Sequence, residues 1–169
     1  SGRDLSAFAR WYDQKGTPRL RVRTEYAPQA RRFLLELTQE RPDGGEPLVI
    51  PVRTALLGAD GRRQPLRLAG ENAAVASERV LELTATSHCF VFEEIEEPVR
   101  PSLLRGFSAP VRVETPLSDS DLAFLATHDD DPVNRWDAVQ TLALRAMQAA
   151  HDGKADGSRN ILIATFDRI

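Results

Sequence analysis

The sequence predicts a mainly β fold: an Ig-like antiparallel β-sandwich with a short N-terminal helix and C-terminal helices. Two observations support this prediction. Between residues 19 and 115, apolar and polar residues alternate in roughly seven short segments, with turn residues about every 8–14 positions. On both sides of this region, apolar residues recur at the three- and four-residue spacing of a helix.

The N-terminal helix is predicted over residues 5–12, whose apolar side chains fall on one face. Asp4 is a candidate N-cap, and Gly16 and Pro18 are expected to end the helix. Nothing precedes its large aromatic residues for them to pack on. Because the chain also starts at Ser1 and not at Met, we expect this helix to end a domain that lies upstream.

The strands are predicted from side chains that alternate between two faces. The first, at 19–26, places Arg19, Arg21 and Arg23 on the face opposite its apolar residues. The third contains Pro51, whose missing N–H predicts a sheet edge or a bulge at that point. The predicted strands, in chain order, are residues 19–26, 33–38, 48–57, 65–68, 80–83, 90–92, 102–107 and 111–115.

Helical spacing returns after Pro116. Ser118 or Asp119 is expected to cap one helix, and Pro132 to start another that ends near residues 151–153. Residues 161–166 are apolar and β-branched, and we expect a strand there or the start of a further segment. The second helix is expected to bury a stripe made of Val133, Trp136, Val139, Gln140, Leu142, Ala143 and Met147.

These patterns predict three parts: the end of a preceding domain at 1–16, the sandwich at 17–116, and the start of a helical domain at 117–169, with 153–169 the least defined. The net charge of -3 gives no electrostatic reason to bind nucleic acid. No apolar run approaches the ~20 residues that span a bilayer. The single cysteine cannot form an internal disulfide, which favours a cytoplasmic location.

Metal-binding patterns are weak. His88, His128 and His151 do not form an HExxH motif, and His88 and Cys89 are strand neighbours that point to opposite faces. We therefore interpret His88 and Cys89 as a partly buried strand pair. The run His128-Asp129-Asp130-Asp131 could bind Ca²⁺ or Mg²⁺ weakly, but it lies just before a predicted helix. An acidic linker that caps this helix is the simpler interpretation.

Other candidate sites have equally simple alternatives. Cys89 stands between His88 and a phenylalanine, in a pattern typical of an inert core thiol. The acidic residues near Pro98 could act as a general acid and base, but a solvated strand end is favoured; they are Glu93, Glu94, Glu96 and Glu97. The arginine row of the first strand could receive an acidic domain or a ligand, or could pair with Glu36 in solvent.

Four motifs occur in the order and spacing of a known family. They are residues 10–18 (RWYDQKGTP), 47–52 (PLVIPV), 107–111 (FSAPV) and 135–140 (RWDAVQ). Together they resemble the M1 family of zinc aminopeptidases, particularly its bacterial aminopeptidase N branch. The resemblance covers about residues 4–150 and places the chain at the sandwich domain and the opening of the helical domain.

This resemblance implies a parent protein that removes N-terminal amino acids from peptides with a zinc ion in a separate catalytic domain. The family's HExxH and Gly-Ala-Met-Glu-Asn motifs are absent from this chain, so no catalytic, cofactor-binding or metal-binding residue is expected here. The implied partners are the catalytic and helical domains, with Trp11 and Tyr12 packing at one interface and Trp136 at the other. A stand-alone Ig-like module that binds a protein or peptide is the alternative.

Overall fold

The computed structural model describes residues 6–153 and 157–169, and for Ser6 and Ala7 only the backbone. The first helix, α1, spans Ser6–Asp13, close to the predicted range. The proposed cap, Asp4, lies outside the described residues. Gly16 adopts a left-handed conformation with φ of 81°, and the chain then enters the first strand.

In the described residues, eight strands form two sheets, the arrangement of an Ig-like sandwich. The larger sheet has the order β4-β6-β2-β1-β8 and the smaller the order β5-β3-β7. Each pair is antiparallel except β1 with β8, which run parallel. The strands are β1 (Arg19–Ala27), β2 (Arg32–Glu40), β3 (Ile50–Leu57), β4 (Arg67–Leu68), β5 (Arg79–Leu83), β6 (Ser87–Glu93), β7 (Arg100–Leu103) and β8 (Arg112–Glu114).

The sandwich core is built from the inward-facing residues of both sheets. Alternation along β2 buries Phe33, Leu35 and Leu37, while the residues between them stay partly exposed. Leu20 of β1 and Ile50 of β3 meet this layer in the same cluster. Burying each such side chain contributes about 1.5–3 kcal/mol, so the alternation predicted from the sequence identifies the main stabilising layer.

One prediction about the strands is confirmed and another is wrong. At Pro51, β3 pairs only with β5, because its pairing with β7 begins at Thr54. The proline therefore lies at a local edge, as expected. The strand predicted at 102–107 is wrong beyond Leu103, because a 3₁₀ turn follows at Arg105–Phe107.

Three helices follow the sandwich: α2 (Asp119–His128), α3 (Pro132–His151) and α4 (Ser158–Phe166). Ser118 caps α2 through a capping box with Asp121, and Pro132 begins α3, both as predicted. The strand expected at 161–166 is wrong, because these residues belong to α4. Ile161 and Leu162 pack against the cluster formed by α2 and α3, and this packing overrides their β propensity.

The stripe predicted to be buried on α3 is largely wrong. Leu142 is buried, but Trp136 is 64% exposed and Met147 and Val133 are also exposed. The buried face is made mainly of alanines: Ala138, Ala146 and Ala149. These small side chains let α3 pack closely on its neighbours, and the larger residues are left on the outside.

Candidate functional site

A left-handed turn follows β7 at the boundary between the sandwich and the helices. Leu104, Gly106 and Phe107 have φ values of 54°, 60° and 58°, a region that costs most residues about 1–2 kcal/mol. The turn directs the side chain of Arg105 inward, so that only 3% of this residue is exposed. A strained segment that buries a charge indicates a specialised position.

Arg105 binds side chains from both parts of the molecule. Its Nε donates to Glu78 Oε2 at 2.6 Å, and Glu78 belongs to the sandwich. Its Nη1 donates to Ser102 Oγ and Asp129 Oδ1, both at 2.7 Å, and its Nη2 donates to Asp130. We call these five residues the Arg105 cluster. Asp129 and Asp130 lie between α2 and α3, so the cluster joins the helices to the sandwich.

The charges of the Arg105 cluster stabilise each other. Burial would lower the pKa of Arg105, but the hydrogen bonds that it donates to Asp130 and Glu78 raise this pKa above its ordinary value. Desolvation likewise acts to raise the pKa of Asp130, but Arg105 brings it below its usual range. Both groups are therefore charged near neutral pH, and loss of the cation would leave the buried carboxylate of Asp129 uncompensated.

Asp131 completes the connection through the backbone. Its carboxylate accepts hydrogen bonds from the backbone N–H groups of Val133 and Asn134 and caps α3, so the capping interpretation is confirmed. The second oxygen accepts from Gly106 N at 2.8 Å. Asn134 Nδ2 donates to Leu103 O at 2.9 Å, which ties the first turn of α3 to β7.

A second set of contacts supports the junction. Arg100 Nε of β7 donates to Asp121 Oδ1 at 2.8 Å, and its guanidinium lies 4.3 Å from the centre of the Phe124 ring. Arg145 Nη1 of α3 donates to Asp119 Oδ1 at 2.9 Å. The junction thus combines charge pairs with the apolar packing of the helices.

Sequence reasoning identified the acidic run at this junction but missed its cationic partner. Arg105 lies in the apolar stretch Leu103-Leu104-Arg105-Gly106-Phe107, and an arginine flanked by leucine and glycine was the available signal. His128, by contrast, stacks on Phe124 with ring centres 4.7 Å apart and takes no part in the Arg105 cluster.

His88 and Cys89 were predicted to be partly buried, and Cys89 to be a core residue; both predictions are wrong. The two residues are exposed on β6 for different reasons. Cys89 points to the outer face of the sheet, whereas His88 shares the face of Phe90 and Phe92 but lies near the start of the strand, where its ring centre is 4.4 Å from that of Phe90. Desolvation and the charges of Glu36 and Glu25 nevertheless raise the pKa of the Cys89 thiol, which disfavours the reactive thiolate.

The acidic residues near Pro98 pair with arginines at the end of the strands. Glu93 bridges Arg32 and Arg67, with N–O distances of 2.8 and 2.9 Å, and Glu96 contacts Arg31. The exposed pair of Arg31 and Glu96 fits the predicted solvated strand end, and such a pair adds little stability. The side chains of Glu93 and Arg67 are partly buried.

The arginine row is exposed on the outer face of β1. Arg19 and Arg21 form ion pairs with Glu114, and Arg21 also lies 2.7 Å from Glu40. Arg23 lies opposite Glu36 in the strand register, but the described side chains form no ion pair between them. The arginine row therefore pairs with Glu114 and Glu40, and not with Glu36 as expected.

The aromatic residues of the N-terminal helix differ in their exposure to solvent. Trp11 packs against the sandwich core, and its indole Nε1 donates to Val49 O at 2.9 Å. Arg10 adds a hydrogen bond to Pro47 O at 2.8 Å. Tyr12 is 85% exposed, and Phe8 is also exposed. One aromatic residue thus fixes α1 to the sandwich while two face outward.

Within residues 6–153 and 157–169, no three His, Cys, Asp or Glu side chains are arranged to hold a metal ion. The acidic run is the best set of ligands by composition, but Asp129 and Asp130 face Arg105 and Asp131 caps a helix. These residues therefore do not fit a zinc site. None of the helices in the described part of the chain has the length and apolar character to cross a bilayer.

The fold and the junction define a class of protein: an Ig-like domain continued by helices of the armadillo type. Two family models match in this order, an Ig-like fold over residues 16–116 and ARM repeats over residues 119–169. The chain belongs to the DUF3458 family, whose Ig-like and C-terminal parts are both described as domains of unknown function.

The similar proteins confirm the resemblance found in the motifs. The chain is 38% identical over 144 residues to aminopeptidase N of Escherichia coli, covering 82% of this chain and 16% of that protein. It is 40% identical over 148 residues to aminopeptidase N of Caulobacter vibrioides, covering 85% of this chain and 16% of that protein. The chain thus spans about a sixth of the curated relatives it matches.

A solved structure of Legionella pneumophila aminopeptidase A in complex with aspartic acid is also similar. It matches with a TM-score of 0.80 and 27% identity, over 98% of this chain and 18% of that one. Both parts of the chain are therefore similar to one portion of a much larger protein.

Proposed function

We propose that this chain is a non-catalytic spacer of a zinc-dependent aminopeptidase that removes N-terminal amino acids from peptides. Residues 17–116 would form the sandwich domain, 1–16 the end of the catalytic domain, and 117–169 the start of the helical domain. The parent's catalytic and helical domains would be its partners, and the cytoplasm its location. The chain itself would contain no catalytic, cofactor-binding or metal-binding residue.

The Arg105 cluster is the observation that carries this proposal. A spacer must hold its two ends at a fixed angle, and a buried arginine that binds Glu78 on one side and Asp129 on the other restricts rotation between them. A hinge would place few buried contacts at the same point. The outward-facing Tyr12 would then contact another domain of the parent.

The zinc ion of the parent would polarise the scissile carbonyl and activate water, as zinc does in peptidases. The ligands would come from another domain, because Asp129, Asp130 and Asp131, the most ligand-rich run of this chain, are bound to Arg105 or cap a helix. The contribution of this chain would be to fix the distance between domains that enclose the active site.

The test uses the full-length protein that contains this chain. Arg105→Ala should lower kcat/KM for an aminoacyl-nitroanilide while the zinc content stays the same, because domain geometry and not metal binding is disturbed. Arg53→Ala, an exposed residue 3.9 Å from the same Glu78, should change neither quantity. The isolated 169-residue chain should show no turnover; turnover by this chain that chelation abolishes would refute the proposal.

One observation favours the alternative of an independent Ig-like binding module. Trp11 packs on its own sandwich, so α1 needs no other domain to hold it. The encoding gene distinguishes the two functions. An HExxH segment in the same reading frame upstream supports the aminopeptidase, whereas a frame without one supports the module.

A further inference from the structure

A groove lies between α3 and the open side of the sandwich. Both sheets end on this side, the smaller at β7 and the larger at β8. The groove has a volume of about 650 Å³, within the range of ligand-binding clefts. Leu103, Val111 and Val113 supply apolar lining, and the exposed rings of Phe107 and Trp136 also line it.

One wall of the groove is a free strand edge. Arg112 N of β8 donates to Pro18 O at 2.8 Å, next to the parallel pairing with β1. In a parallel pair, the backbone groups of successive residues point to alternate sides, so the N–H and C=O of Val113 point away from β1. Within the described part of the chain, no hydrogen bond is formed by either group.

Three charged residues line the groove, and one of them, Arg19, is paired with Glu114. Arg112 of β8 and Asp137 of α3 both border the groove, and neither forms an ion pair with the described residues. Although part of Asp137 is exposed, desolvation raises the pKa of its carboxyl group. A ligand with a carboxylate near Arg112 and a cation near Asp137 would be complementary in charge to both residues.

We propose that this groove binds an extended peptide from another molecule as an added strand beside β8. Its backbone would bond to Val113, as in other cases where a peptide extends a sheet edge. Successive side chains of a strand point to opposite faces, as those of Arg112 and Val113 do. The ligand would therefore alternate acidic residues facing Arg112 with apolar or basic residues facing α3. This inference does not depend on the aminopeptidase proposal.

The probe is the acetylated and amidated hexapeptide Glu-Val-Glu-Lys-Glu-Val, titrated into the 169-residue chain and followed by NMR. We expect saturable binding with hydrogen-exchange protection of the Val113 amide. Arg112→Glu should weaken binding about fivefold, the scale of a lost cross-strand charge pair, and a peptide with Lys in place of Glu should restore it. Arg23→Glu, on the same sheet face but away from the groove, should leave Kd unchanged.

Three results would overturn the proposal. The first is titration without saturation. The second is an equal loss of affinity in Arg112→Glu and Arg23→Glu, which would indicate nonspecific charge attraction. The third is a Val113 amide that is already protected in the full-length protein without peptide, because the parent's own chain would then fill the groove.

Discussion

The sandwich and the helices bury apolar surface in different ways. The sandwich closes around large side chains from both sheets, including Leu35 of the larger sheet and Ile50 of the smaller, which are fully buried. The helices cover Leu142 and several alanines but leave Trp136 and Ile163 exposed. The sandwich is therefore the better-enclosed part, while the helices have one face packed and one face open.

This difference explains why the junction is ionic. Helices of a repeat array bury surface mainly against their neighbours. Among the described buried residues of the helical cluster, only Leu57 comes from the sandwich, so apolar packing between the two parts is small. The Arg105 cluster and the cap at Asp131 supply directional contacts instead. We infer that the sandwich is stable by its own core, whereas the position of the helices depends on a few polar groups.

The largest expected effect is at the Arg105 cluster. Arg105→Ala should lower the free energy of unfolding by about 3–5 kcal/mol, since it leaves the buried Asp129 without its cation. Urea denaturation measures this change, and Arg53→Ala should stay within about 0.5 kcal/mol as the exposed control. In Arg105→Ala, the rate of backbone hydrogen exchange should increase more in α3 than in β2. Uniform acceleration in both elements would show that the helices are not the more dependent part.

A smaller effect is expected within the helices. Leu142→Ala should cost about 2–4 kcal/mol because it opens a cavity between α2 and α3. Leu144→Ala, two residues away on the exposed face, should cost less than about 0.5 kcal/mol. The pair is compared by thermal and urea unfolding. Equal losses would mean that the open face is covered in solution, for example by a second copy of the chain.

The smallest expected effect is a dependence on pH. Hydrogen bonds from Ser158 and Arg145 lower the pKa of Asp119, and Arg105 lowers that of Asp130. A carboxylate with a lowered pKa in the folded state stabilises it above the unfolded pKa of about 3.9. This stabilisation is lost as the pH falls through the lower folded value.

Unfolding free energy should therefore decrease between pH 5 and the acid limit, as measured by urea denaturation at several pH values. Asp119→Asn should make this decrease shallower, whereas Leu144→Ala on the exposed face of α3 should not change it. An identical slope in both variants would place the acid-sensitive groups outside the junction.

The sequence by itself determined the sandwich and the starts of the helices. Alternation over β1 and β2 predicted their inward faces, and the serine at 118 and proline at 132 marked the first turns of α2 and α3. These features depend on neighbouring residues only, since strand periodicity and capping are local properties. The family motifs added the resemblance to aminopeptidase N for the same reason: they are short and contiguous.

Only the tertiary structure decided the partner of the acidic run, the helical state of 161–166 and the exposed face of α3. Arg105 and Asp129 are 24 residues apart in the chain, and no local pattern indicates that they meet. Trp136 and Ala138 lie on one helix, yet the smaller residue is the buried one. Which face of a helix is buried, and which charged residues form pairs, depends on the positions of elements that are distant in the chain. These positions are set by tertiary packing and not by local sequence.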